Sequence, residues 1–103
     1  MDVKEFILSL PAKVKPEVLE GQNTLFHFDI KDAGQFTVKV ADGKLDISEG
    51  FQGEPVCTVN TSADAFEKIL KGDLNPMMAM MTGKLKISNP PEMLKYAKIF
   101  GMM

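Results

Sequence analysis

Two side chains in this sequence belong to types that act as nucleophile and base, Cys57 and His27, its single cysteine and single histidine. A thiol attacks when a neighbouring base takes its proton, so the two groups must share a face of whatever element carries them. His27 falls with Leu25 and Asp29 on one parity of an alternating run, whereas Cys57 shares its parity with Val59 on an apolar side. The pattern therefore leaves Cys57 as a small core residue and His27 as a surface strand histidine. One histidine also cannot build a two-histidine zinc site. Soft-metal chemistry is the remaining option, because Met77, Met78, Met80 and Met81 supply four thioethers, half of the chain's eight methionines. Copper(I) would need those sulfurs to converge, yet Met77, Met80 and Met81 recur at i, i+3 and i+4 and read as one apolar ridge on a short helix. Such a ridge is expected either to pack a core or to form an adaptable wall for a flexible apolar ligand, since unbranched methionine refills irregular space. Glycines stand singly at turns, outside any dinucleotide-binding context. Asp29 and Asp32, or Asp42 and Asp46, lie around hairpins where turn chemistry accounts for them. No catalytic residue, metal site or cofactor is expected.

The elements that must position these residues follow from periodicity. Asp2 caps a first helix with Val3, Phe6, Ile7 and Leu10 on one stripe, and Pro11 is expected to end it. Pro16 opens a short helix that Gly21 closes. From Thr24 the period becomes two: Phe26, Phe28 and Ile30 face one way, and Phe36, Val38 and Val40 repeat the pattern after Asp32-Ala33-Gly34. Asp42-Gly43 marks a hairpin into Leu45 and Ile47. Three strands thus form a meander with one apolar and one polar face, followed by a loop from Gly50 to Pro55 and a fourth strand over Val56 to Asn60. Ser62 caps a helix with Phe66, Ile69 and Leu70 inward, stopped by Gly72. Asn75-Pro76 starts the methionine helix. Lys84 to Ser88 gives a fifth strand through Leu85 and Ile87, and Asn89-Pro90-Pro91-Glu92 resembles a capping box for a last helix with Met93, Tyr96, Ala97 and Phe100 on one face.

This order reads as a single α+β domain over residues 1–103, with helices covering the apolar face of the sheet. A chain of 103 residues supports one modest core. A net charge of −2 provides no basic stripe for phosphates, which argues against nucleic acid as a partner. Lys84, Lys86, Lys95 and Lys98 read as a solvated face, with weak, transient contact to an anionic membrane as the functional option. A lone cysteine fits a reducing cytoplasm. The first residues carry too short an apolar run for a secretion signal, and the C-terminus is not a peroxisomal address, so a cytoplasmic protein is expected.

The wording of these motifs resembles the sterol carrier protein type 2 family. The resemblance rests on Phe26-His27-Phe28-Asp29-Ile30, on Phe36-Thr37-Val38 with Asp42-Gly43-Lys44 and Glu49-Gly50, and on Cys57-Thr58. Ala65-Phe66 to Gly72 adds to it, as does Asn75-Pro76 followed by Ala79 to Ile87. It implies a five-stranded, mixed, mainly antiparallel sheet covered on one face by about five helices, with an apolar tunnel between the layers. It further implies a non-enzymatic carrier of fatty acyl chains, acyl-CoA, sterols or other lipids. By position, the wall of that tunnel would comprise Phe36 and Val38 on the sheet, Phe66, Ile69 and Leu70 on a helix, then Met77, Met80 and Met81, with Phe100 and Met103 near the mouth. Asn89-Pro90-Pro91-Glu92 departs from the family's usual Gly-Asp and implies a different angle for the last helix. Met80 replaces a bulkier residue and implies a softer cavity. The missing peroxisomal ending suggests a free-standing microbial carrier, monomeric or weakly dimeric. The rival expectation is a structural, dimerisation or accessory module whose methionines fill its own core, serving a partner lipid enzyme.

Overall fold

The computed structural model describes residues 2–96, and every structural statement here concerns those residues. Alternating hydrophobicity produces the meander: β1 (Thr24–Lys31), β2 (Gly34–Ala41) and β3 (Lys44–Glu49) pair antiparallel, with Phe26 opposite Val38 and Val38 opposite Ile47. The β2–β3 turn places Asp42 at φ 53° and Gly43 at φ 72°, the left-handed pair whose twist matches that of the flanking strands. β4 (Cys57–Ser62) then runs parallel to β1, and β5 (Leu85–Ile87) pairs antiparallel with β4. The five-stranded order is β3-β2-β1-β4-β5, mixed as the resemblance implied. β4 begins one residue later and ends two later than the sequence suggests, because its ladder follows β1 out to Lys31 opposite Ser62.

Four α-helices and a 3-10 turn, rather than about five helices, accompany the sheet among the described residues: α1 (Val3–Lys13), the turn Pro16–Leu19, α2 (Ala63–Leu70), α3 (Pro76–Met81) and α4 (Pro90–Tyr96). Asp2 caps α1 by accepting from the Glu5 amide at 3.1 Å. Pro11 does not end this helix. Its missing N–H costs one bond near the last turn, and the helix runs on until the Val14 amide closes on the Leu10 carbonyl at 3.0 Å. Ser62 Oγ caps α2 through the Ala65 amide, and Asn75 Oδ1 caps α3 through the Met77 amide.

The core is the apolar sheet face under these helices. Phe26, Phe28, Ile30, Phe36, Val38, Val40 and Val59 are buried against Phe66, Ile7 and Leu85. Phe6 of α1 meets Phe66 of α2 edge-on at 6.1 Å, and Phe26 meets Tyr96 of α4 edge-on at 5.7 Å. α4 is fixed over the start of β1 by two further bonds. Tyr96 Oη donates to Gln22 Oε1 at 3.1 Å, and Thr24 Oγ1 donates to Glu92 Oε2 at 2.6 Å. The expected capping box is thus half made: Asn89 Oδ1 accepts from the Glu92 amide at 3.4 Å, while the Glu92 carboxylate serves Thr24.

The opposite face is not purely polar. The loop after β3 folds back across it, so that His27, expected at the surface, is instead buried and stacks on Phe51 with ring centroids 4.4 Å apart. His27 Nε2 donates to the Gln52 carbonyl at 2.8 Å, since a carbonyl can only accept. Thr37 Oγ1 donates to the Gly50 carbonyl at 2.7 Å and accepts from the Gln52 amide at 2.9 Å. Gly53 completes the strap: its φ is +72°, and a Cβ there would stand 3.1 Å from Leu25 Cδ1.

Candidate functional site

The residues with chemical potential are held apart. Phe26 pairs with Cys57 and His27 with Thr58, so Cys57 and His27 occupy neighbouring ladder positions but opposite faces of the sheet. Cys57 is buried, and its Sγ donates to the carbonyls of Asn89 at 3.6 Å and Thr58 at 3.7 Å. Burial pushes the thiol above its ordinary range. A thiol that holds its proton to higher pH when folded stabilises the native state fully below the ordinary thiol range, and that contribution is lost as pH rises through the raised value. Alkylation of native Cys57 by iodoacetamide should therefore be slow and track global unfolding. Measured against the urea-unfolded chain, an equal rate would refute the burial argument. No group of three or more His, Cys, Asp or Glu side chains placed to hold a metal ion occurs among the described residues.

What the fold does assemble is a graded apolar layer. Phe36, Val38, Phe66 and Ile69, all expected in the wall, lie in the closed core between sheet and α2. Leu70 and Met80 are half-buried and pack against that core from its edge. Leu74 and Ile87 are likewise half-buried against the core, so α2, the following turn, α3 and β5 each add a partly open apolar side chain to its rim. The parity of β5 pointed to Ile87 as inward-facing; Leu74, in a Gly-Asp turn, carried no periodic signal.

The methionine ridge is rotated from its expected setting. α3 turns Ala79 fully inward, with Pro76 and Met80 half-buried beside it, while Met77, Met78 and Met81 are 70%, 53% and 81% exposed. The inward stripe is therefore 76/79/80 instead of 77/80/81. Both sets obey i, i+3, i+4 spacing and differ by one residue, a rotation of about 100°. Since Pro-Met-Met-Ala-Met-Met contains no polar residue, nothing local sets the phase. Phe100 and Met103, assigned to the mouth, lie outside the described residues.

The profile of the SCP-2 sterol transfer family matches residues 4–100, nearly the whole chain. The chain belongs to this family. The fold agrees with solved structures. One is the sterol carrier protein domain 2 of Helicoverpa armigera, at 18% identity and TM-score 0.74, covering 95% of this chain and 82% of that one. Another is palmitated SCP2L2 from Aedes aegypti, at 23% identity and TM-score 0.75, covering 97% and 95%. The same shape recurs in the sec-alkylsulfatase Pisa1 from Pseudomonas sp., at 17% identity and TM-score 0.72, where 91% of this chain corresponds to 15% of the enzyme. No curated protein matches the chain by sequence. The family's fold points to lipid binding or transfer. No helix among the described residues is long and apolar enough to cross a membrane.

Proposed function

We propose that this protein is a non-enzymatic, single-domain carrier that holds a flexible apolar ligand, a fatty acyl chain before a sterol, between its sheet and helices. The observation that supports it most is the half-buried rim of Leu70, Leu74, Met80 and Ile87, which continues the closed core outward to the surface. In this reading Phe36, Val38, Phe66, Ile69, Leu70 and Met80 line the ligand, Met77 and Met81 stand outside at the mouth, and Phe100 and Met103 keep that assignment from the sequence. Opening the layer separates side chains already in contact, and unbranched Met80 can swing aside where a β-branched residue would not. An acyl tail gains about 0.8 kcal/mol per methylene buried, or about 10–13 kcal/mol for 12 to 16 carbons, which exceeds all but the upper part of an association cost of about 4–15 kcal/mol. The palmitated state of the Aedes aegypti protein makes a fatty acid the first probe. A buried free cysteine accords with a cytoplasmic setting.

The test is uptake of a fluorescent fatty acid, together with lipid mass spectrometry of natively purified protein. Saturable uptake is expected; a clean extract with no uptake would refute carriage. Met80→Trp should fill the rim and lower uptake at least about tenfold, the equivalent of 1.4 kcal/mol of overpacking. Met78→Trp, two residues earlier and outward-facing, should leave it unchanged. Similar uptake by both variants would show that the wall lies elsewhere.

A second reading, an accessory module for a lipid enzyme, is favoured by the occurrence of this fold as a small part of the Pseudomonas sulfatase. It predicts capture of an enzyme partner in pull-downs and no independent lipid uptake.

A further inference from the structure

We propose that Met77, Met78 and Met81 form a surface site for a soft monovalent metal ion of the copper(I) class. The sequence spacing alone predicts a methionine ridge packed against the core, and a packed ridge could not offer its sulfurs. The setting of α3 removes that obstacle: Ala79 and half-buried Met80 supply the packing, and the other three side chains stand in solvent. At about 100° per residue, Met77, Met78 and Met81 fall within an arc of about 100° on the outer side of the helix. Met81 lies one turn on from both of the others, at i+4 from Met77 and i+3 from Met78, the spacings at which helical side chains meet. Their stems are unbranched and rotate freely, so three thioethers can converge on one ion without moving the backbone.

The backbone that carries these sulfurs is fixed at both ends. Asn75 Oδ1 accepts from the Met77 amide at 2.8 Å, and Thr82 Oγ1 donates to the Met78 carbonyl at 2.9 Å. The Lys84 amide donates to the Ala79 carbonyl at 2.8 Å and ties the end of the helix to the approach to β5. Thioethers are uncharged, carry no proton and prefer soft ions, whereas zinc favours thiolate, imidazole and carboxylate. The other soft or borderline donors among the described residues are committed elsewhere. Cys57 is buried, and burial keeps its thiol protonated to higher pH. His27 is buried with Nε2 donating to the Gln52 carbonyl, Met93 is buried, and Met80 packs against the core. Leucine, with similar size and helix propensity, would serve an apolar surface equally well. Sulfur is what sets these three side chains apart. The site rests on outward-facing residues and stands whether or not the interior carries lipid.

The test is a titration of the full chain, its methionine methyl groups isotopically labelled, with Ag(I) in chloride-free buffer. Silver is a soft monovalent ion that needs no reductant. The methyl resonances of Met77, Met78 and Met81 should shift together and saturate at one ion per chain, while those of Met80 and Met93 stay in place and report an intact core. Zn(II) should leave all of them unmoved. Because thioethers hold no proton, silver binding should be constant over about pH 5–8, where a histidine site would weaken as pH falls. Met77→Leu and Met78→Leu each keep one pair of sulfurs that face each other and should weaken binding. Met81→Leu leaves only adjacent residues, which diverge on a helix, and should abolish saturable binding although the surface remains apolar. Cys57→Ala should bind silver as the wild type does. Equal shifts at every methionine, an equal response to Zn(II), saturable binding retained by Met81→Leu, or binding lost in Cys57→Ala would each overturn the proposal. Fatty-acid uptake without any methyl response to silver would refute the metal site and leave carriage intact.

Discussion

Replacing Phe26 with alanine is expected to cost about 3–5 kcal/mol, the range for deleting a fully buried aromatic. Phe26 is wholly inaccessible to solvent, lies on the central strand β1, and pairs across the ladder with Val38 on one side and Cys57 on the other. Its ring contacts Phe28 at 6.0 Å and Tyr96 at 5.7 Å, so the deletion empties the point where sheet and α4 meet. The backbone there is held by ladders on both flanks and cannot collapse into the void, which puts the site toward the costly end of the range. Domains of this size are commonly stable by about 5–15 kcal/mol in total, so the variant should lose a large share of that stability. Urea unfolding should show the midpoint falling by about 1–4 M at an unchanged slope. A midpoint within about 0.3 M of the wild type would mean that the ring does not pack as described.

The second large effect is expected on the other face. Thr37→Val keeps the shape of a buried side chain but removes the hydroxyl that bonds the Gly50 carbonyl and the Gln52 amide. Losing both contacts leaves two backbone groups competing for water under the strap, at about 1–3 kcal/mol for a group left unsatisfied. The loss should be local first. Amide exchange should accelerate at Gln52, and also at Val56, whose amide donates to the Leu25 carbonyl at 2.8 Å, before it does so in the β1–β2 ladder. Phe51 should lose its stacking on His27 in the same variant, visible as a change in the histidine ring resonances. Unaltered exchange at Gln52 would show that the threonine does not hold the strap.

Much of the architecture was legible because its signals are local. Strict alternation at Phe26, Phe28 and Ile30, with Asp42-Gly43 at the turn, admits one register in which the apolar set stays on one face. The caps at Asp2, Ser62 and Asn75 were equally readable, because each works within three residues of itself. The separation of Cys57 from His27 also followed from parity alone, and the ladder agrees with it. Signals that depend on distant partners were not available. Pro11 was expected to end α1, because nothing local shows that the helix can give up one bond there and run on to Lys13, and Glu92 had no way to announce that Thr24, far away in sequence, would take its carboxylate. Likewise, nothing in Gly50 to Pro55 showed that the loop would fold over His27, since the strap's bonds run to residues of β1 and β2.

The methionine segment divides the two kinds of information most clearly. Its sequence determined a capped, two-turn apolar helix and, through the surrounding motifs, membership of a lipid-carrying family. Which side of that helix faces the core was decided by tertiary packing. An all-apolar helix has similar hydrophobic energy to gain from several rotations, and the one adopted places small Ala79 fully in the core. That selection buries Ala79, half-buries Met80, and leaves Met77, Met78 and Met81 in water.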